Sequence, residues 1–176
     1  LSYWVMADIA RRKRFTRLTL TSKLIVSVTA IMIIVGSVGF LASEYNNPET
    51  IGRASIGQKV MISVFESISG RTAGFTTVDY AATRDRTNFF FSAMMFVGGA
   101  PGSVAGGIKV TTFAILVLGI VATVRDKAHV TAFRREVTQL TIRRAMAMAG
   151  IAFALVFIIT TALISTQSSL NSLDLY

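Results

Sequence analysis

The segment Glu66-Ser67-Ile68-Ser69-Gly70-Arg71-Thr72-Ala73-Gly74-Phe75-Thr76-Thr77 carries the most specific chemistry in this chain, and it is chemistry of the main chain. Thr72, Thr76 and Thr77 are β-branched, and Gly74 lacks the side chain that would hold it to negative φ, so no helix is expected beyond Arg71. An extended or kinked backbone there leaves its carbonyls unpaired. The flanking segments are long enough for a lipid bilayer, where lipid-exposed irregular backbone is not viable. The carbonyls must face something else, and a dehydrated cation fits, because carbonyl oxygens can replace its water shell as they do in potassium-channel filters. Gly74 is central to this reading: successive carbonyls that point one way need alternating backbone regions, including positive φ, which glycine alone adopts cheaply. A plain turn glycine is the competing reading.

A second glycine-rich stretch follows. Gly98-Gly99-Ala100-Pro101-Gly102-Ser103-Val104-Ala105-Gly106-Gly107-Ile108-Lys109 interrupts an otherwise apolar run, and glycine and proline lower helix propensity by ~1 and ~3 kcal/mol per residue. The segment therefore reads as one crossing broken in its middle, and broken helices at membrane depth belong beside a cavity. A phosphate loop is a poor fit, because that motif needs contiguous Gly-Lys-Ser/Thr and here Ile108 and Val110 interrupt it. Close helix packing competes more seriously, since Gly-xxx-Gly spacing occurs at Gly98 and Gly102 and again at Gly102 and Gly106. Lys109 is expected to anchor the loop through its carbonyls or else to snorkel to the interface.

These two stretches need elements to position them. Gln58 to Gly70 has apolar residues at 60, 61, 64, 65 and 68, the spacing of a short helix with one apolar face. At 13 residues it is too short to span, so it should enter the membrane from outside and stop part-way. Leu24 to Ala42 is close to the ~20 residues a crossing helix requires. Ala145 to Ile164 forms a further span, after which a polar tail, Ser165 to Tyr176, lies outside. Leu1 to Ile9 reads as the end of an earlier membrane helix, closed by Asp8. Ser43 to Gly57 and Asp79 to Arg86 read as external loops.

Composition agrees with a membrane setting. Hydrophobic residues make up 52% of the chain and charged residues only 15%, with a mean hydropathy of +0.60, too apolar for an ordinary soluble domain. The net charge of +9 suggests nucleic acid at first sight, but the basic residues cluster beside hydrophobic spans without interleaved aromatics, and topology explains them better. Arg11, Arg12, Lys13, Arg14, Arg17 and Lys23 precede the first span, and Arg125 to Arg144 holds six basic and two acidic residues; both are cytoplasmic by the positive-inside rule and suited to anionic lipid headgroups. The absence of cysteine excludes disulfides and thiolate metal sites. His129 sits in the polar loop and is read as solvated.

With these residues in view, Thr72-Ala73-Gly74-Phe75-Thr76 resembles the filter segment of the Trk/Ktr/HKT potassium transporter superfamily. Residues 98–109 resemble the intramembrane loop after the third filter of that family, and the Ala-Pro-Gly-Ser form resembles its KtrB-like members. The resemblance covers roughly residues 1 to 144. It implies an all-α membrane protein built from a helix, a re-entrant pore helix with filter loop, and a broken helix, one unit of a pseudo-fourfold channel-like fold, plus one further transmembrane helix. The expected division is a cytoplasmic basic linker at 1–22 after a preceding membrane helix, the pore unit at 23–124, a cytoplasmic loop at 125–144, and the first helix of the next repeat with its external tail at 145–176.

The resemblance also implies function. K+ would meet the carbonyls of Thr72, Ala73, Gly74 and Phe75, with the Thr72 hydroxyl as an additional ligand, Thr76 closing the segment and the Phe75 ring packed behind it. The loop from Gly98 to Gly107 would lie under the filter as a gate, with glycine supplying mobility and Ser103 a polar surface. Glu66 and Arg71 either form a buried brace or part company, Arg71 reaching external water; neither is an ion ligand. Four filters make a ring, and the family supplies them from four repeats of one polypeptide. Uptake is drawn by a negative interior at ~2.3 kcal/mol per charge per 100 mV. No enzymatic chemistry is needed. Expected partners are membrane lipid, the remaining repeats, a second copy as homodimer, and a cytosolic KtrA-like subunit that binds the regulatory nucleotide and docks on the basic loop, Arg134 and Arg135 included. The expected location is the cell membrane of a prokaryote. The alternatives are a homotetrameric potassium channel subunit and a permease or assembly subunit whose glycine loop only packs helices.

Overall fold

A computed structural model describes residues 2–126, 129–133 and 135–173. The first helix, α1 (Tyr3–Arg12), does not close at Asp8 but runs on four residues, because Asp8 pairs with Arg12 one turn later at 2.7 Å. It stops at Lys13, whose φ of 51° is left-handed. After a single 3-10 turn at Phe15–Arg17, Thr19 caps the next helix by accepting from the Ser22 N–H at 3.2 Å, and the Asp8 carboxylate accepts from both the N–H and the hydroxyl of Thr19 at 3.0 Å.

The second helix, α2 (Leu20–Glu44), has 25 residues. At 1.5 Å per residue that is about 37 Å, enough to cross a hydrocarbon core of ~30 Å. Its last residue is fully buried, and the reason is a network invisible to local pattern. Glu44 accepts from the Asn47 amide at 2.6 Å, the Thr50 hydroxyl at 2.9 Å, the Arg84 N–H at 3.0 Å and the Thr87 hydroxyl. One carboxylate thus ties the end of α2 to the following turn and to the start of a helix forty residues on.

The third helix, α3 (Ile56–Ser69), begins two residues before the sequence suggested, because Ser55 and Gln58 form a reciprocal capping box. Its burial is inverted. Val60, Met61, Val64, Phe65 and Ile68, the apolar face, are all exposed, Met61 at 68%, whereas Lys59, Ser63, Glu66, Ser67 and Ser69 are buried. The polar face is turned onto α2, where the Ser67 hydroxyl donates to the Ile33 carbonyl at 2.8 Å. Lys59 donates to the Tyr45 carbonyl at 2.8 Å and lies 4.1 Å from the centre of its ring. An outward apolar face suits lipid or neighbouring apolar protein, and the inward polar groups find partners only because they are sequestered from hydrocarbon.

A loop through the one-turn 3-10 segment Tyr80–Ala82 leads to α4 (Asp85–Phe96), whose Phe91 stacks edge-on against Phe40 at 5.7 Å and Tyr80 at 6.0 Å. The helical run is then broken, as the glycines suggest, and resumes as α5 (Val110–Val124). Between them the chain pairs with itself, Val97 bridging Ile108 in parallel.

The segment after α5 is less loop-like than its charges imply. Strands β1 (Thr131–Ala132) and β2 (Arg135–Glu136) form a small antiparallel hairpin, and Val130, Ala132, Val137 and Ile142 are buried with Leu24, Ala114 and Ala122. His129 is exposed, as its place in a polar segment suggests, and its Nδ1 also lies 2.7 Å from a Glu136 carboxylate oxygen. The Phe133 ring meets Phe15 edge-on at 6.0 Å, so the hairpin touches the N-terminal linker. Arg134 lies outside the described residues.

The last helix, α6 (Gln139–Leu173), has 35 residues. It starts before the expected span at Ala145 and absorbs most of the supposed polar tail. Ser165 and Thr166 stay helical by donating their hydroxyls to the carbonyls of Thr161 and Ala162, each at 2.9 Å. Residues 174–176 of that tail lie outside the described residues.

Candidate functional site

Helix α3 delivers the chain to the bend at 70–78, and the bend is irregular as its composition requires. Gly74 has φ +82° and Thr72 has φ +67°. The glycine is where left-handed backbone was expected; the β-branched threonine was not, and such a conformation is strained for it. No atom lies within 4 Å of where a Gly74 Cβ would sit, so its requirement is one of backbone conformation rather than space. Residues 72–77 are all exposed at the surface of the chain. A recess of about 360 Å3 opens beside them, lined by Ser69, Thr72, Gly74, Phe75, Tyr80 and Met95.

The bend is braced by side chains of α3. Glu66, fully buried, accepts from the Thr77 N–H and the Thr77 hydroxyl at 2.7 Å each and from the Tyr80 hydroxyl at 2.9 Å. Ser69 accepts from the Phe75 N–H at 3.0 Å and donates back to the Phe75 carbonyl. The Ala73 N–H donates to the Ser69 carbonyl at 2.9 Å. The Thr72 hydroxyl donates to the Arg71 carbonyl at 2.6 Å. The Phe75 ring is 73% exposed within this chain, and no element among the described residues covers it.

Glu66 and Arg71 do not pair. Glu66 is saturated by Thr77 and Tyr80, and Arg71 turns the other way, donating from Nη2 to the Gly98 carbonyl at 3.2 Å. That carbonyl belongs to the second candidate element. The loop 98–107 is closed at its neck by bonds from Gly98 N–H to the Ile108 carbonyl at 2.9 Å, Ile108 N–H to the Phe96 carbonyl at 2.9 Å and Val110 N–H to the Gly99 carbonyl at 3.1 Å. Gly98 is required by close approach, since a Cβ there would lie 1.5 Å from the Gly106 carbonyl oxygen. The stretch is not helical, so its Gly-xxx-Gly spacing does not form a helix crossing.

The first half of the loop is docked and its tip is free. Ala100 is buried with Val5 of α1 and Ile25 of α2, whereas Pro101, Gly102, Val104, Gly106 and Gly107 are exposed. Ser103 turns inward, donating its hydroxyl to the Ala100 carbonyl at 2.6 Å, rather than presenting a polar surface. Lys109 donates to the Ala105 carbonyl at 2.8 Å, the anchoring arrangement rather than snorkelling. Residues 66–77 and 98–109, separate in sequence, are thus brought together through Arg71. Sequence reasoning missed the Ser69 bridge and the Glu44 network; both are polar residues in apolar helices, and that misplacement is the signal that marks them.

Two helices long and apolar enough to cross a membrane, Leu20–Glu44 and Gln139–Thr166, and a short helix with its apolar face outward describe an α-helical integral membrane protein. The chain belongs to the TrkH family, described as cation transport protein, which matches residues 5–174. It is 31% identical over 169 residues to the Ktr system potassium uptake protein B of Bacillus subtilis, covering 96% of this chain and 38% of the relative. It is 33% identical over 165 residues to the Ktr system potassium uptake protein B of Vibrio alginolyticus, covering 93% of this chain and 36% of the relative. The potassium/sodium uptake protein NtpJ of Enterococcus hirae is 31% identical over 168 residues, covering 96% of this chain and 37% of the relative. The chain therefore spans a little over a third of the length of these relatives. Members of this family are membrane transporters, not enzymes.

Proposed function

We propose that this chain is one pore unit of a KtrB-like potassium uptake subunit, the third repeat followed by the first helix of the fourth. Helix α3 is its re-entrant pore helix, Thr72 to Thr76 its filter segment, and the loop from Gly98 to Gly107 its gate. The observation that carries the reading is the left-handed pair Thr72 and Gly74 in an exposed bend, held from behind by Glu66 and Ser69. Alternation between right- and left-handed backbone turns successive carbonyls toward one side, which is what cation dehydration needs. The Phe75 carbonyl keeps one lone pair for K+ while Ser69 engages the other. The relatives named as potassium uptake proteins support K+ as the transported ion, and their length supports a single polypeptide carrying several such units over a homotetramer of this one.

The rest of the assembly follows from the same reading. The relatives are named as parts of a Ktr system, which supports a KtrA-like cytosolic partner carrying a regulatory nucleotide, and a homodimer of the membrane subunit. Arg135, Arg143 and Arg144 are exposed around the hairpin and the start of α6 and form its docking surface. Replacing Gly74 by valine in the full-length protein tests the filter: the K+ over Na+ preference in vesicle flux is expected to be lost, and an unaltered ratio refutes the assignment.

A further inference from the structure

Arg71 is the side chain through which the bend and the glycine loop meet. Its guanidinium reaches across 27 positions of sequence to the Gly98 carbonyl, at 3.2 Å. Gly98 is the neck of the loop, bonded by its own N–H to Ile108 and packed on the Gly106 carbonyl, so both limbs of the loop are pinned at the residue Arg71 holds. On the other side, the Arg71 carbonyl accepts from the hydroxyl of Thr72, the residue whose φ is +67°. Arg71 therefore adjoins the bend through its own carbonyl, which the Thr72 hydroxyl engages, and reaches the loop through its side chain.

This is a poor arrangement for stability alone. Arg71 Nε is buried with no acceptor, and among the described residues no carboxylate pairs with this guanidinium. A part-buried charge with one carbonyl for company is costly. Glu66, five residues earlier, is committed to Thr77 and Tyr80 and so leaves Arg71 to the loop.

We propose that Arg71 is a positioning residue that couples the bend at 72–76 to the glycine loop, holding the loop in place through the Gly98 carbonyl and loosening it when the Arg71–Thr72 peptide reorients as a cation occupies the bend. The proposal rests on the filter and gate reading given above. Cation chemistry supplies the trigger: an ion drawing the carbonyls of Thr72 to Gly74 toward itself shifts the peptide from which Arg71 extends, and a positive charge in the bend repels the guanidinium.

The test uses the full-length transporter in vesicles, with Ser103→Cys as a reporter of loop position. Two quantities are read together: unstimulated Rb+ flux, and the rate at which a charged thiol reagent modifies the reporter from the cytoplasmic side. Arg71→Gln is expected to raise both by at least about fivefold, the low end of measured coupling between sites, with Arg71→Lys in between because it keeps the charge and one donor. An altered Rb+ to Na+ preference with an unchanged modification rate overturns the coupling and assigns Arg71 to the bend alone. If Arg71→Gln does not assemble, Arg71→Lys is read in its place, and a modification rate equal to the parent's overturns the proposal. A parent that passes no Rb+ under any condition sinks the filter reading itself, a result distinct from either of these.

Discussion

The Glu66 carboxylate accepts two hydrogen bonds from Thr77, one from its N–H and one from its hydroxyl, both at 2.7 Å. A residue of α3 thereby clamps the far limb of the bend eleven positions later, and Tyr80 adds a third donor. Glu66→Ala leaves these donors without an acceptor, at about 1–3 kcal/mol for each that stays buried. The full-length protein in detergent is expected to melt several degrees lower and to lose K+ over Na+ preference. Glu66→Gln, which keeps one carbonyl oxygen for Thr77, should be milder, and a Glu66→Ala protein that melts like the parent removes the clamp from consideration.

Ser69 engages both main-chain polar groups of Phe75, accepting from its N–H and donating to its carbonyl. Ser69→Ala frees the Phe75 carbonyl and orphans its N–H, so the affinity for K+ should change more than the fold does. A stability loss of about 1 kcal/mol with a shifted K+ to Na+ permeability ratio is expected. A large stability loss at constant ratio would instead make Ser69 a structural cap.

The glycines of the loop are not equivalent. Gly98→Ala places a methyl 1.5 Å from the Gly106 carbonyl oxygen, whereas a Cβ at Gly106 meets nothing within 4 Å. Gly98→Ala should break the closed neck and raise unstimulated flux, and Gly106→Ala should leave transport within twofold of the parent, about 0.4 kcal/mol. Equal effects of the two substitutions in a flux assay contradict this geometry.

Asp8 joins α1 to the start of α2, and the Ser22 hydroxyl first, then the Thr19 N–H, hold its pKa down at about 2 from an ordinary 3.8. A depressed carboxylate stabilises the fold above its unfolded pKa and loses that contribution as pH falls through the folded one. The junction should therefore hold from neutral pH to about 4 and loosen between about 4 and 2. Pepsin cleavage within residues 9–18 of the parent, divided by that of Asp8→Asn at the same pH to remove the protease's own profile, should rise toward unity over that window, because the variant is loose throughout. A ratio that does not change with pH counts against the junction.

Much of the architecture was legible because it rests on local pattern. The uncharged run from Leu24, the cluster of glycines at 98–107 and the β-branched residues around Gly74 each restrict the backbone through their own sterics, and the structure has a helix, a break and a left-handed bend at those places. Misreadings arose where a side-chain partner, near or far, decided the outcome. Asp8 looked like a terminator but has Arg12 to pair with, and Ser165 and Thr166 looked like a tail but satisfy themselves within the helix. The charges of 125–144 concealed a hairpin whose apolar residues are buried under α2 and α5.

By itself the sequence determined that this chain is a membrane protein with one short helix, one kinked bend and one helical run interrupted by glycines, since hydropathy, glycine φ freedom and helix length are properties of neighbouring residues. Only the tertiary structure decided which side of α3 faces inward, where Glu66 and Arg71 send their charges, and that the bend and the glycine loop are linked through Gly98. Those outcomes depend on hydrogen-bond partners tens of residues away, and a buried polar group takes whichever partner the packing brings within reach.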